Sequence, residues 1–151
     1  METAKPLSRS VLTSIFKRHH GISEASRVVE NLDDPWLAPV RLHIDLEADE
    51  QPVVAMILCA EHWLLITTKR SLYYYASDME EIRHCHVIKA GCNDWILLRI
   101  GKKHINLLDI ETQSYTVRMV LERGPTFYAF WNLYRWIWLR ADFEREQTLS
   151  Q

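Results

Sequence analysis

The chain has few of the residues that interrupt regular structure: its 151 residues include only 4 glycines and 5 prolines. Long flexible linkers are rich in such residues, so we expect none here. No uninterrupted apolar run reaches about 18 residues, the length that a transmembrane helix needs, and residues 1–10 lack the apolar core of a signal peptide. We therefore expect a single main domain that is neither secreted nor membrane-spanning.

Cysteine is also scarce, and positively and negatively charged residues are nearly equal in number. The 3 cysteines, Cys59, Cys85 and Cys92, are odd in number and show no CxxC spacing, which argues against a disulfide framework and against a zinc knuckle. A reducing cytoplasm fits this usage best. The 18 basic and 20 acidic residues give a net charge of -2, so we expect no nucleic-acid partner recognised through a broad positive field.

The residues that are present, 48% hydrophobic and 25% charged, are typical of a globular domain with its own core. The first third is predicted to be helical. Its apolar residues recur at spacings of three and four and lie on one side of a helix, namely Leu7, Val11, Leu12, Ile15 and Phe16. Gly21 ends that helix, and a second helical turn is predicted from Ser23 to the break at Asp33-Asp34-Pro35. Residues 1–49 are interpreted as a helical N-terminal extension.

From residue 53 the pattern changes to short runs of β-branched and aromatic residues, which predict strands. The predicted strands cover residues 53–60, 63–68, 71–76, 82–88, 95–100, 104–110 and 115–121. Short connections such as Ala60-Glu61-His62 require neighbouring strands to run antiparallel. The predicted domain covers residues 50–146, and residues 147–151 form a tail.

One long helix is predicted over residues 126–146, with Thr126 as its N-cap. At about 100° per residue its apolar residues form two stripes. The inner stripe contains Phe127, Phe130, Trp131, Tyr134, Ile137, Trp138 and Ala141. The second contains Trp136, Leu139 and Phe143, with Leu133 at its margin. Either the N-terminal helix covers the second stripe through Leu12, Ile15 and Phe16, or the stripe is an interface with another copy or another protein.

The order of seven antiparallel strands and one C-terminal helix resembles the pleckstrin-homology-like superfold. Residues 64–74, Leu-Leu-Ile-Thr-Thr-Lys-Arg-Ser-Leu-Tyr-Tyr, are similar to a hairpin of bacterial PH-like and GRAM-like domains, and the run from Ile82 through Gly91 to Leu98 is similar to their next hairpin. The resemblance covers about residues 50–143. It implies an α+β, mainly β fold: a seven-stranded antiparallel bent barrel capped by the C-terminal helix. It also implies a binding scaffold rather than an enzyme, with no particular ligand.

Phosphoinositide-binding members of the superfold cluster lysines and arginines around the first hairpin. In this chain that connection, Cys59-Ala60-Glu61-His62, is short and acidic. The candidate residues for an anionic ligand are Lys69 and Arg70 in the next turn, together with Lys102 and Lys103. They predict at most a weak site for anionic lipid.

The sequence shows no established catalytic constellation. His84-Cys85-His86 would place two imidazoles on one side of a strand, but no spacing fixes a third zinc ligand, and we expect solvent-facing or hydrogen-bonded histidines. The GxSxG, P-loop, GxGxxG and HExxH motifs are all missing. We therefore expect no enzyme activity, no cofactor and no metal.

The function that we expect is that of a cytoplasmic, non-catalytic interaction or adaptor module. It would bind a protein partner, or itself as a homo-oligomer, through Trp136, Leu139, Phe143 and Leu133. The strand Tyr73-Tyr74-Tyr75 is a second possible surface. Two alternatives of other classes stay open. One is peripheral binding to anionic lipid through two basic clusters, Lys17-Arg18-His19-His20 and Lys102-Lys103-His104; the other is a metal- or thiol-dependent enzyme.

Overall fold

The structure is a computed structural model that describes residues 5–92, 98–99, 101 and 104–149. The helices are α1 (Arg9–Arg18), α2 (Ala38–Arg41) and α3 (Pro125–Leu149). The strands are β1 (Ser26–Val28), β2 (Pro52–Cys59), β3 (His62–Thr67), β4 (Arg70–Tyr75), β5 (Asp78–Arg83), β6 (Val87–Gly91), β7 (Leu107–Thr112) and β8 (Thr116–Val120). Short 3-10 turns lie at Pro35–Leu37 and His84–His86.

The strands form two antiparallel sheets, which confirms an α+β, mainly β fold. The first sheet has 5 strands in the order β1-β2-β3-β4-β5, and the second has 3 in the order β6-β7-β8. Every pairing within them is antiparallel. No strand ladder joins the two sheets in the described ranges, so the sheets do not close into a barrel there.

The strand predicted over residues 82–88 is wrong as a single element. β5 ends at Arg83, a 3-10 turn covers His84–His86, and β6 begins at Val87 in the other sheet. The turn carries the chain from the first sheet to the second. Most of the strand predicted over 95–100 lies outside the described residues; Leu98 and Arg99, which are described, are helical.

The helical turn predicted from Ser23 is also wrong, because residues 26–28 form the edge strand β1. Ser26 pairs with Met56 of β2. Val28 and Val29 pack against opposite sides of the sheet, as successive side chains of extended backbone do. The segment before residue 50 therefore adds both α1 and a strand to the body of the protein.

The first sheet is covered on both faces, which explains the continuous apolar run of β2. On one face Val54 and Met56 join the large core shared with α1, α3 and the second sheet. On the other, Trp63 and Leu65 pack under residues 29–44, of which Leu37 is fully buried.

α3 begins at Pro125, directly after Gly124 with φ +87°. Proline is favoured at the first helical position, so Thr126 lies inside the helix, where it is buried, and its predicted role as N-cap is wrong. The inner stripe is confirmed: its residues are buried or pack against the large core. α1 packs on this side of α3, with the rings of Phe16 and Phe130 5.0 Å apart.

Side-chain hydrogen bonds connect the two sheets. The Tyr73 hydroxyl accepts a bond of 2.9 Å from the Val120 amide, and His62 Nε2 lies 2.8 Å from the Val120 carbonyl oxygen. At the other end of β8 the Tyr115 hydroxyl donates to the Glu81 carbonyl at 2.8 Å. Burial lowers the pKa of His62, which favours the neutral imidazole at this junction. β8 is thereby fixed across β4 and β5.

Candidate functional site

The second apolar stripe of α3 lies on the outer side of the molecule. Leu139 is 51% exposed and Phe143 is 50% exposed, whereas Trp136 is half-buried against the large core. We call these three residues the outer stripe. Leu133, which the sequence placed at the margin of this stripe, is fully buried and offers no surface to a partner.

The exposure of the outer stripe follows from the way α3 is anchored. The buried Tyr134 hydroxyl donates to Ser71 Oγ of β4 at 2.7 Å, and burial raises the pKa of Tyr134. About two helical turns beyond the middle of α3, Arg145 donates to the carbonyl oxygens of Cys85 and Val87, each at 3.0 Å. Rotating α3 to bury Leu139 would break these bonds, so the stripe stays outward.

The N-terminal helix packs on the inner side of α3 and leaves Leu139 and Phe143 of the outer stripe about half-exposed. Leu12, Ile15 and Phe16 are buried in the large core, and the ring contact of Phe16 is with Phe130 of the inner stripe. Leu139 stays half-exposed although α1 packs against α3.

Charged residues border the outer stripe. The Arg140 guanidinium lies 5.4 Å from the centre of the Phe143 ring and 3.4 Å from the Glu144 carboxylate. Arg135 is exposed and has no ion pair with any described residue. Asp142, seven residues further on, pairs with Arg145. Apolar side chains within a charged rim are typical of protein interfaces. The seven-residue spacing of Arg135 and Asp142 is a signal that the sequence alone contains.

The cations predicted to meet an anionic ligand are already in contact with carboxylates. Lys69 Nζ lies 3.2 Å from Glu47 and 2.5 Å from Asp49, and its side chain is 8% exposed. Arg70 Nε lies 2.9 Å from Glu50 Oε2, and that carboxylate is completely buried. Lys102 and Lys103 lie outside the described residues. The described cations therefore belong to an internal ion-pair network.

The same network stabilises the charged forms of its carboxyl groups. Hydrogen bonds from Arg83 and Lys69 lower the pKa of Glu47 to about 2. Burial of Glu50 opposes its ionisation, but hydrogen bonds from Arg70 and Thr67 outweigh burial and lower the pKa of this carboxyl group. An anion that binds to Lys69 or Arg70 would have to displace these carboxylates. These two cations therefore do not support the alternative of lipid binding.

His84, Cys85 and His86 do not form a paired-imidazole site. They lie in a 3-10 turn, so the alternation expected of a strand does not apply: His84 is buried and His86 is exposed. His84 Nε2 lies 2.7 Å from the Thr67 carbonyl oxygen, and burial lowers the pKa of His84 to about 4. Within the described part of the chain, no group of three or more His, Cys, Asp or Glu residues is placed to hold a metal ion.

The tyrosines of β4 pack mainly against their neighbours. Tyr73 is buried between the sheets, and Tyr74 stacks on Trp63 with ring centres 5.3 Å apart. Tyr75 is the exposed member and contacts the ring of His62. These contacts are those of cross-strand packing, and they leave a smaller exposed apolar surface than the outer stripe does.

No protein-family model, curated protein or solved structure matches this chain. The helices in the described ranges include none with the length and apolar character needed to span a bilayer.

Proposed function

We propose that the protein is a non-catalytic protein-interaction module that binds a protein partner through the outer stripe of α3. The observation that carries this proposal is the pair of half-exposed side chains, Leu139 and Phe143, on a helix whose rotation is fixed. Covering half of a leucine or phenylalanine side chain contributes about 1 kcal/mol. An aromatic residue beside arginine is also a frequent composition of binding hot spots.

The state of the thiol and imidazole groups agrees with a binding role. Burial raises the pKa of Cys85, which lowers the thiolate fraction that nucleophilic catalysis needs. His84 is buried in its neutral form and hydrogen-bonded to the backbone. Cys59 and Cys85 carry free thiols, and we propose the cytoplasm as the compartment.

We also propose that the fold is related to the pleckstrin-homology-like superfold. The support is the order of elements: β2 to β8 are seven antiparallel strands in the described part of the chain, and α3 follows them. α3 buries its inner stripe in the core between the sheets. β1 would then be an additional edge strand supplied by the N-terminal segment.

The proposal is tested by placing a charge in the outer stripe. Leu139→Glu and Phe143→Glu change half-exposed side chains, so the fold should persist. Trp136→Glu is a poorer probe because Trp136 packs against the core. The matched control is Leu42→Glu, since Leu42 is 84% exposed and lies outside α3.

The measurement compares the total amount of protein, including further copies of the chain, that binds to immobilised wild type and to each immobilised variant. Circular dichroism checks that every variant is folded. We expect Leu139→Glu and Phe143→Glu to weaken binding at least about tenfold and Leu42→Glu to leave it unchanged. Equal binding by wild type and the three variants would overturn the proposal. A loss of binding in Leu42→Glu as large as the loss in the two α3 variants would also overturn it.

A further inference from the structure

We infer that the partner of the outer stripe is a second copy of this chain, packed antiparallel along α3. This inference rests on the proposed function and names the partner of the same surface. It is carried by two independent features of α3: the spacing of its exposed apolar residues and the positions of the charges beside them.

The spacing of the outer stripe is that of a helix-pairing seam. Trp136, Leu139 and Phe143 follow one another at intervals of three and four residues, the spacing of a and d positions in paired helices. α3 has 25 residues and is therefore about 37 Å long. Because the inner stripe already packs against the core, a second helix would pair with α3 along the outer stripe.

The charges next to the stripe are complementary in one orientation. Arg135 and Asp142 are seven residues apart and lie on the same edge of the stripe. A twofold axis near residue 138, perpendicular to α3, would place Arg135 of each copy beside Asp142 of the other. It would also bring Trp136 of each copy next to Leu139 of the other. A parallel pair would instead place the two edges that carry Arg135 and Asp142 on opposite sides of the seam, so that these residues would not face each other.

A twofold pair is isologous, so the same patch must be complementary to itself. The outer stripe satisfies this condition because the basic residue precedes its centre and the acidic residue follows it. Arg135, which lacks an ion pair to any described residue of its own chain, would gain one from the second copy. The pairing also covers Leu139, the half-exposed residue nearest the axis.

The test is sedimentation equilibrium of the full chain from micromolar to millimolar concentration. Wild type is compared with Leu139→Glu, Arg135→Asp, Asp142→Arg and the double variant Arg135→Asp/Asp142→Arg. Arg41→Asp, an exposed cation in α2, is the control for a change of net charge. We expect the three single α3 variants to raise the dimer dissociation constant at least about tenfold. The double variant should return it to within about threefold of wild type, because each new aspartate faces a new arginine.

The outcomes separate this inference from the proposed function. A wild type that is monomeric throughout overturns the self-pairing; if Leu139→Glu nevertheless abolishes capture of another protein, the proposed function stands. A dimer that Leu139→Glu leaves intact overturns both. A dimer that Leu139→Glu dissociates but that the double charge exchange does not rescue overturns the antiparallel register while leaving the outer stripe as the interface.

Discussion

The ring of Phe16 fills the space next to Gly21 so closely that an ideal Cβ on Gly21 would lie 2.4 Å from ring atoms Cε1 and Cζ. Real Cβ atoms do not approach other carbons at this distance. The contact lies at the end of α1, where Gly21 N also donates to the Phe16 carbonyl at 2.9 Å. The glycine that ends the helix in the sequence is thus also needed for the packing of the largest core residue of α1.

Gly21→Ala is therefore expected to destabilise the protein by about 1–3 kcal/mol, the usual cost of overpacking a core. The ring of Phe16 is fully buried against Phe130 and has little room to move. The measurement is the free energy of unfolding in urea. Gly91→Ala is the control, because a Cβ at Gly91 meets no atom of the described residues within 4 Å. Equal stability of the two alanine variants would contradict the expected clash.

His84 is expected to make stability depend on pH between about 6.5 and 4. Burial lowers the pKa of His84 from 6.5 to about 4, so in this window the unfolded chain binds a proton that the folded protein does not. The contribution is present in full above pH 6.5 and is lost as the pH falls toward 4. Over the window it amounts to about 3 kcal/mol.

The variant that isolates this effect is His84→Gln, whose amide can still donate to the Thr67 carbonyl. We expect it to reduce the slope of unfolding free energy against pH between about 6.5 and 4.5, and to leave the slope that His62, whose pKa burial also lowers, contributes in both proteins. Below that range the titration of Glu50, whose pKa is also lowered, adds a further decline in both proteins. Parallel curves for wild type and variant above pH 4.5 would show that His84 is not the titrating group.

Periodicity in the sequence was sufficient to predict α1, α3 and most strands, because each alternates between an interior and an exterior within a few residues. It failed at residues 23–29 and 82–88 for a common reason. β1 is defined by its pairing with Met56, and the break after Arg83 by a change from one sheet to the other. Both depend on contacts distant in sequence, which a local pattern does not contain.

In the candidate site, too, local features could be predicted from the sequence and features that depend on distant contacts could not. The outer stripe was predicted from helical spacing alone, because Leu139 and Phe143 are placed by the geometry of their own helix. The burial of Leu133 and the ion pairs of Lys69 were not predicted. Lys69 and its carboxylate partners are about 20 residues apart in the chain, and only the turn after β3 brings them together.

Among the cations near the surface, Arg70 is the one whose removal we expect to lower the free energy of unfolding most. It donates to the buried Glu50 carboxylate through Nε at 2.9 Å and through Nη2 at 3.1 Å. Without Arg70 that charge would be buried and uncompensated, so Arg70→Met should lower the free energy of unfolding by about 3 kcal/mol. Arg118→Met is the control: its pair with Asp109 is about half-exposed, and we expect a loss below about 1 kcal/mol.

A second substitution distinguishes the buried charge from simple loss of packing. Arg70→Met/Glu50→Gln removes the uncompensated charge, and the glutamine amide still accepts from Thr67 Oγ1, which lies 2.5 Å from Glu50 Oε2. We expect the double variant to regain at least half of the stability lost in Arg70→Met. No recovery would mean that the side-chain packing of Arg70, rather than its charge, stabilises this region.

Leu133 and Leu139 test how sharply α3 divides core from surface. The two leucines are on one helix, yet Leu133 is fully buried and Leu139 is 51% exposed. Leu133→Ala removes buried methyl groups and should cost about 2–5 kcal/mol. Leu139→Ala should change the free energy of unfolding of the monomer by less than about 0.5 kcal/mol. Both are measured in urea at a protein concentration low enough to avoid association. A large loss for Leu139→Ala would place this residue in the core and remove the outer stripe as a binding surface, because a side chain that stabilises the monomer is not available to a partner.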